Sequence, residues 1–179
     1  SPKKCGGALY IMGQDGWAYL DVQNCVFEYN YAFLYGGAVY VNGTGVGSVA
    51  PRFLHCTFRY NRARIDGGGI YRNGSSWAER IPDFGNCVFE NNEAFQRGGG
   101  VYFSDRNRID TLDFSNCLFV NNIAVNADGG GLYVRINRQS GSMIRIVNSI
   151  WDRNIASRGP ALSLQTTTFN SLRLFFIDS

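Results

Sequence analysis

NCVFENNEAFQRGGGVY, residues 86–102, decides the fold. Taken alone it fits neither a helix nor an amphipathic strand, because polar asparagines and three consecutive glycines interrupt every apolar period. Its meaning comes from its copies. NCVFEYNYAFLYGGAVY begins at Asn24, HCTFRYNRARIDGGGIY at His55 and NCLFVNNIAVNADGGGLY at Asn116, and a decayed copy, NSIWDRNIASRGPALS, begins at Asn148. Cysteine recurs at Cys25, Cys56, Cys87 and Cys117, with Ser149 in its place in the fifth copy, at steps of 31, 31, 30 and 32 residues. Phe27, Phe58, Phe89, Phe119 and Trp151 follow two places on. Asn30, Asn61, Asn92, Asn122 and Asn154 follow three further on. Tyr40, Tyr71, Tyr102 and Tyr133 close the motif, with Ser163 in the last copy, and CGGALY supplies Tyr10 to the same column.

Each cysteine is preceded by an alternating pair: Leu20-x-Val22, Pro51-x-Phe53, Pro82-x-Phe84, Leu112-x-Phe114 and Ile144-x-Ile146, with Leu172-x-Leu174 as a sixth. A repeat therefore carries three short segments with apolar alternation, separated by Gly, Asn and Ser. Such a unit predicts an all-β, parallel β-helix solenoid with three short strands per coil. One repeat of about 31 residues makes one coil, and five to six coils are expected. A single domain fills residues 1–179, with repeats near 20–50, 51–81, 82–111, 112–143 and 144–171 and a partial first coil over 1–19.

Charge follows the same frame. In-register coils bring equivalent residues to roughly 4.8 Å, so like charges in one column repel. The column within the first strand reads Asp21, Arg52, Asp83, Asp113, Arg145, Arg173, and the column after the motif aromatic reads Glu28, Arg59, Glu90, Val120, Asp152. Signs mostly alternate, as pairing between neighbouring strands favours. Asp83 over Asp113 and Arg145 over Arg173 break the rule.

The cysteine and phenylalanine columns are expected inside, as is the column Val39, Ile70, Val101, Leu132, Leu162. That placement sends the tyrosines outward as a stacked row. The asparagines sit at a bend and are expected to form an inward ladder, each amide bonding its neighbours and the turn backbone. Zinc needs paired cysteines or histidine neighbours. With His55 the only histidine, the cysteines are a column of small buried thiols, a bridged neighbouring pair remaining open as an alternative. No cofactor and no metal is expected. The glycines do not form a phosphate-binding loop, because no helix follows them.

Composition narrows the partners. The net charge is only +3, and fifteen of the seventeen cations are scattered arginines, which gives no nucleic-acid arm and no polybasic membrane patch. No apolar run is long enough to span a bilayer. Neither end carries a polar cap, so a segment of a longer chain, or ends covered by other protein chains, is expected. Asn42-Gly-Thr44 and Asn73-Gly-Ser75 match the N-glycosylation acceptor pattern at equivalent places in successive coils.

The pairing of F-x-x-N with G-G-[AG]-[ILV]-Y, as in Phe27-Glu-Tyr-Asn30 with Gly36-Gly-Ala-Val-Tyr40, resembles the repeats of the polymorphic outer membrane proteins of chlamydiae and related surface proteins. The resemblance runs from Cys25 to Ser163, and the fifth copy departs from it at Pro160 and Ser163. It implies a right-handed β-helix displayed outside the cell, at the cell surface, in large proteins serving adhesion or as stalks. It does not imply an enzyme.

Right-handed β-helices also include polysaccharide lyases and glycoside hydrolases, so catalysis is judged on the site rather than the fold. Paired carboxylates are what such chemistry requires. Asp83 and Asp113 are the same-sign pair in the strands, flanked by Arg52 and Arg145, which reads better as an ion ladder. Asp66 and Asp128 stand two coils apart, and Glu90 and Glu93 occur together in one copy only. The expected function is a non-enzymatic structural or adhesive module. The alternative is a polysaccharide-active β-helix or a carbohydrate-binding module. Ligand contacts are expected in the loops after the tyrosines, at Trp17, Trp77, Arg106, Arg108, Arg135 and Arg138, where the arginines suit acidic glycans or protein carboxylates.

Overall fold

The computed structural model describes residues 4–13, 17–43, 48–74, 83–105, 111–136, 143–166 and 173–177. Within them every regular element is a strand and every pairing is parallel, stacked coil on coil as a β-solenoid. Equivalent residues pair directly: Phe89 lies between Phe58 and Phe119, and Tyr102 between Tyr71 and Tyr133. One repeat is therefore one coil.

Four coils are complete, fewer than the five to six expected. The fifth keeps three strands and reduces the fourth to an isolated bridge between Ile123 and Ile155. Each complete coil holds four paired segments rather than three, as in Trp17–Gln23, Val26–Glu28, Tyr31–Ala32 and Val39–Gly43. The extra one is a two-residue strand just beyond the motif asparagine. Three left-handed residues turn each coil. In the third they are Asn86 (φ 53°), Asn91 (φ 52°) and Gly98 (φ 64°). Asparagine and glycine tolerate this region best, which accounts for their density in the repeat. The left-handed residue at the second bend is the one before the motif asparagine, here Asn91, leaving Asn92 to point inward.

The interior is built from ladders. Phe27, Phe58, Phe89, Phe119 and Trp151 stack with ring centroids 4.9, 5.0, 4.6 and 4.0 Å apart. Phe53, Phe84 and Phe114 form a second stack that meets the first edge-on, at 5.4 Å between Phe53 and Phe58. Stacked and edge-to-face contacts each add about 0.5–1.5 kcal/mol beyond the area they bury. Cys56, Cys87 and Cys117 are buried beside them, all five cysteines are free thiols, and the Cys87 thiol lies 3.4 Å from the Phe53 carbonyl oxygen it donates to. Ser149 keeps the column's place by accepting the Cys117 backbone N–H at 3.0 Å.

The asparagine ladder runs unbroken from Asn30 to Asn154. Asn92 donates to the Asn122 side-chain oxygen at 3.0 Å and to the Phe58 carbonyl at 2.8 Å. Its own oxygen accepts the backbone N–H and the side-chain amide of Asn61. One amide thus links three coils.

Two further expectations are corrected. The tyrosines leave their strand on the face opposite Val39, yet from Tyr40 to Tyr133 they are covered, Tyr102 3% exposed and Tyr133 1%, while Tyr10 in the partial first coil is half-exposed. They form a second buried cluster, stacked at 5.3, 4.6 and 5.1 Å from Tyr40 to Tyr133, and residues of the preceding bend fold back over them. In the terminal strand Arg173–Ile177, Ile144 pairs with Leu174 and Arg145 with Phe175. The sixth alternating pair is therefore Leu174-x-Phe176, and the like-charge step of Arg145 over Arg173 does not occur.

Candidate binding site

The bend before each first glycine contributes one residue per coil to a column running over the tyrosine row: Tyr35, Asp66, Arg97, Asp128, Arg158. Its charges alternate. Asp66 accepts the Arg97 backbone N–H at 3.0 Å, and Arg158 grips Asp128 with two bonds of 2.9 Å. The Arg97 guanidinium lies 5.7 Å from the centre of the Tyr133 ring. Burial pushes the Asp66 carboxyl up to about 6, and the Arg97 charge only partly offsets it. Burial likewise raises the tyrosine hydroxyls, Tyr40 to about 12.

On the same face two residues beyond the tyrosines stand Asn42, Asn73, Ser104, Arg135 and Gln165, again one per coil. The Asn73 side chain hydrogen-bonds the Tyr40 hydroxyl, and Gln165 bonds the Tyr133 hydroxyl. Asn42 and Asn73, the sequon asparagines, are half-buried strand partners. The hydroxyl residues that complete the two sequons, Thr44 and Ser75, lie outside the described residues.

The row of rings ends at Tyr133, because its partner in the fifth coil is Ser163. Above that serine opens a cleft of about 470 Å³. Arg97, Arg135 and Arg158 border it together with Asp128, Ser163 and Gln165, and Tyr133 forms its covered floor. Three guanidiniums against one carboxylate make the lining electropositive, and the volume suits a small ligand.

Of the contact residues expected from sequence, Arg135 alone reaches this cleft. Trp77, Arg106, Arg108, Arg138 and the side chain of Trp17 lie outside the described residues, Trp17 opening its strand with its backbone. Arg97, Arg158 and Ser163 were missed. Two signals mark them in the sequence: the alternating column at Asp66, Arg97, Asp128 and Arg158, and serine where four coils carry tyrosine.

The carboxylates lie in register along the sheets. Asp83 stands between Arg52 and Asp113. Burial first, then the Asp113 charge, raises its carboxyl, while Arg52 and Arg145 pull it back. Asp113 is bonded by Arg145 at 2.7 Å and by the Ser115 hydroxyl at 2.7 Å. Elsewhere Arg59 pairs with Glu28 at 2.7 Å and Arg62 with Glu93 at 2.9 Å. Asp66 and Asp128 are separated by the Arg97 coil. Among the described residues no three His, Cys, Asp or Glu side chains gather in a metal-binding group.

No protein-family model, curated protein or solved structure matches this chain. The parallel β-solenoid itself defines the class of protein.

Proposed function

We propose that the chain is a non-enzymatic, extracellular β-helical module with a structural or adhesive role in a cell-surface protein or assembly. Its partners are then neighbouring parts of a longer chain, other protein chains, or surface glycans. The observation that carries this reading is the commitment of its polar side chains to coil-to-coil ladders. Asp113 is held by Arg145, Glu28 by Arg59, and the asparagines by one another. Carboxylates tied to arginines in this way stiffen a rod, whereas polysaccharide cleavage needs two of them facing a bond across a cleft. The resemblance of the repeats to those of surface proteins supports the same reading.

The test couples two assays on the purified chain. Beads coated with it are flowed over glycan-coated and cell-coated surfaces, and the soluble chain is incubated with acidic and neutral polysaccharides while reducing ends and unsaturated products are followed. Retention of beads without product is expected. Turnover that disappears in Asp83→Ala or Asp113→Ala would replace the scaffold with a carbohydrate-active enzyme.

A further inference from the structure

We infer that the cleft over Ser163 is a binding subsite for an acidic sugar, a six-membered ring bearing one carboxylate. The inference rests on the adhesive reading above and names the ligand class for one site within it.

Three observations combine. The first is a vacancy. In the lower coils the slot between the bend column and the column of Asn73, Ser104 and Arg135 is filled by a tyrosine ring stacked at about 5 Å on the next. In the fifth coil Ser163 stands in register with Tyr133, and the phenol is missing. The side chain removed is a six-membered ring, so the space left accepts one.

The second is charge. Arg97, Arg135 and Arg158 converge on the cleft from three successive coils, and Asp128 is the carboxylate in its lining. A guanidinium fork matches the two oxygens of a carboxylate, and such bonds are about twice as strong as neutral ones. The Arg158 side chain is 82% exposed and its two bonds to Asp128 lie at the rim. A partner with a single negative charge meets the lining without having to displace that pair.

The third is polarity. Tyr133 is covered, and Gln165 bonds its hydroxyl, so the floor offers no open aromatic face. Beside Leu164, what remains between the arginines is the Ser163 hydroxyl and the Gln165 amide, which suit the hydroxyls of a sugar.

Calorimetric titration of the whole chain tests this with digalacturonate as the probe. Cellobiose is the neutral control, benzoate the aromatic acid, and inorganic phosphate the anion without a ring. Saturable binding of digalacturonate is expected, roughly tenfold or more tighter than any of the three. Ser163→Tyr refills the slot with the residue the other coils carry and should abolish binding while the thermal unfolding curve holds or rises. Arg135→Gln should weaken binding about tenfold, as loss of one charge-assisted bond does. No saturable binding, equal binding of any control, or unchanged binding by Ser163→Tyr would each overturn the assignment. Beads carrying Ser163→Tyr separate the two proposals. If they still adhere while the cleft fails these tests, the subsite falls and the adhesive reading stands.

Discussion

Arg72 and Asp105 form an ion pair at 2.9 Å inside the solenoid, 3% and 1% exposed, from neighbouring coils. Arg72 occupies an inward column otherwise filled by Val41, Phe103, Val134 and Leu164. Its guanidinium also covers the Phe103 ring at 4.5 Å. Gly74 makes the room, since a Cβ there would press on the Arg72 guanidinium at 2.7 Å. A buried pair is costly to form and costlier to break, because the surviving partner becomes an uncompensated charge. Arg72→Met is expected to destabilise the chain by about 3–5 kcal/mol. The double change Arg72→Met with Asp105→Leu should recover most of that loss. Urea unfolding of the four proteins in a double-mutant cycle measures both. A double change as damaging as the single would show that packing, rather than the pair, holds this layer.

Asn92 makes the same point with neutral groups. Replacing it by leucine leaves the Phe58 carbonyl, the Asn61 N–H and the Asn122 side-chain oxygen each short of a partner in a fully buried setting. Each such loss costs about 1–3 kcal/mol. Asn92→Leu should therefore destabilise by about 3–5 kcal/mol despite its greater hydrophobicity. Asn154→Leu, at the last rung and half-buried, should cost visibly less. Equal losses at the two positions, compared by midpoint of urea unfolding, would deny the ladder its cooperative role.

These two features were unequally legible in the sequence. The asparagine ladder could be read because every copy repeats it, and in-register stacking turns a repeated residue into a column. Arg72 could not, because it is one charge in an apolar column and its partner lies in the next coil, two positions further on. The sixth alternating pair slipped by two residues for a related reason. Leu172-x-Leu174 and Leu174-x-Phe176 both alternate, and a shift of two leaves every side chain on its own face. The burial of the tyrosines was hidden because the bend residues that cover them are charged or polar and read as a solvated edge. The cleft was hidden for the same reason, since two of its three arginines, Arg97 and Arg158, belong to that edge and only Arg135 follows a tyrosine.

Asp66 supplies a pH dependence. Its carboxyl sits among Tyr35, Tyr71, Tyr102 and Arg97, and burial raises it to about 6 in the folded chain. In the unfolded chain it returns to about 3.9. The folded state thus holds the proton more tightly. The stability this group contributes is full below about pH 4 and is lost as the pH rises through about 6. Asp83, also raised by burial, acts in the same direction. Asp66→Asn keeps the acceptor for the Arg97 N–H and removes the charge. It should stabilise the chain at pH 7.5 by up to about 3 kcal/mol and have little effect at pH 4. Chemical unfolding at the two pH values decides. A destabilised Asp66→Asn at pH 7.5 would mean that the ionised carboxylate is held by Arg97 more strongly than burial opposes it.

The glycine triplet contains two constraints that separate experimentally. Gly98 needs its left-handed backbone, with φ at 64°. Gly99 does not, but a Cβ on it would come within 2.5 Å of the Ile123 backbone nitrogen, in the next coil. The equivalent residue of the fifth coil is Pro160, exposed, and Pro160 presents its carbonyl to the Gly131 N–H of the coil below at 2.9 Å. A side chain is tolerated there because among the described residues no further coil stacks on it, whereas Gly99 is roofed by one. Gly99→Ala should therefore destabilise by about 2–4 kcal/mol, as forced overpacking and a shifted coil would. Pro160→Ala should change stability by about 1 kcal/mol or less, since it removes only a fixed φ. Thermal unfolding of both variants tests the distinction. A tolerated Gly99→Ala would show that the coils can part at this bend, and the second glycine would then owe its place to the backbone rather than to the neighbouring coil.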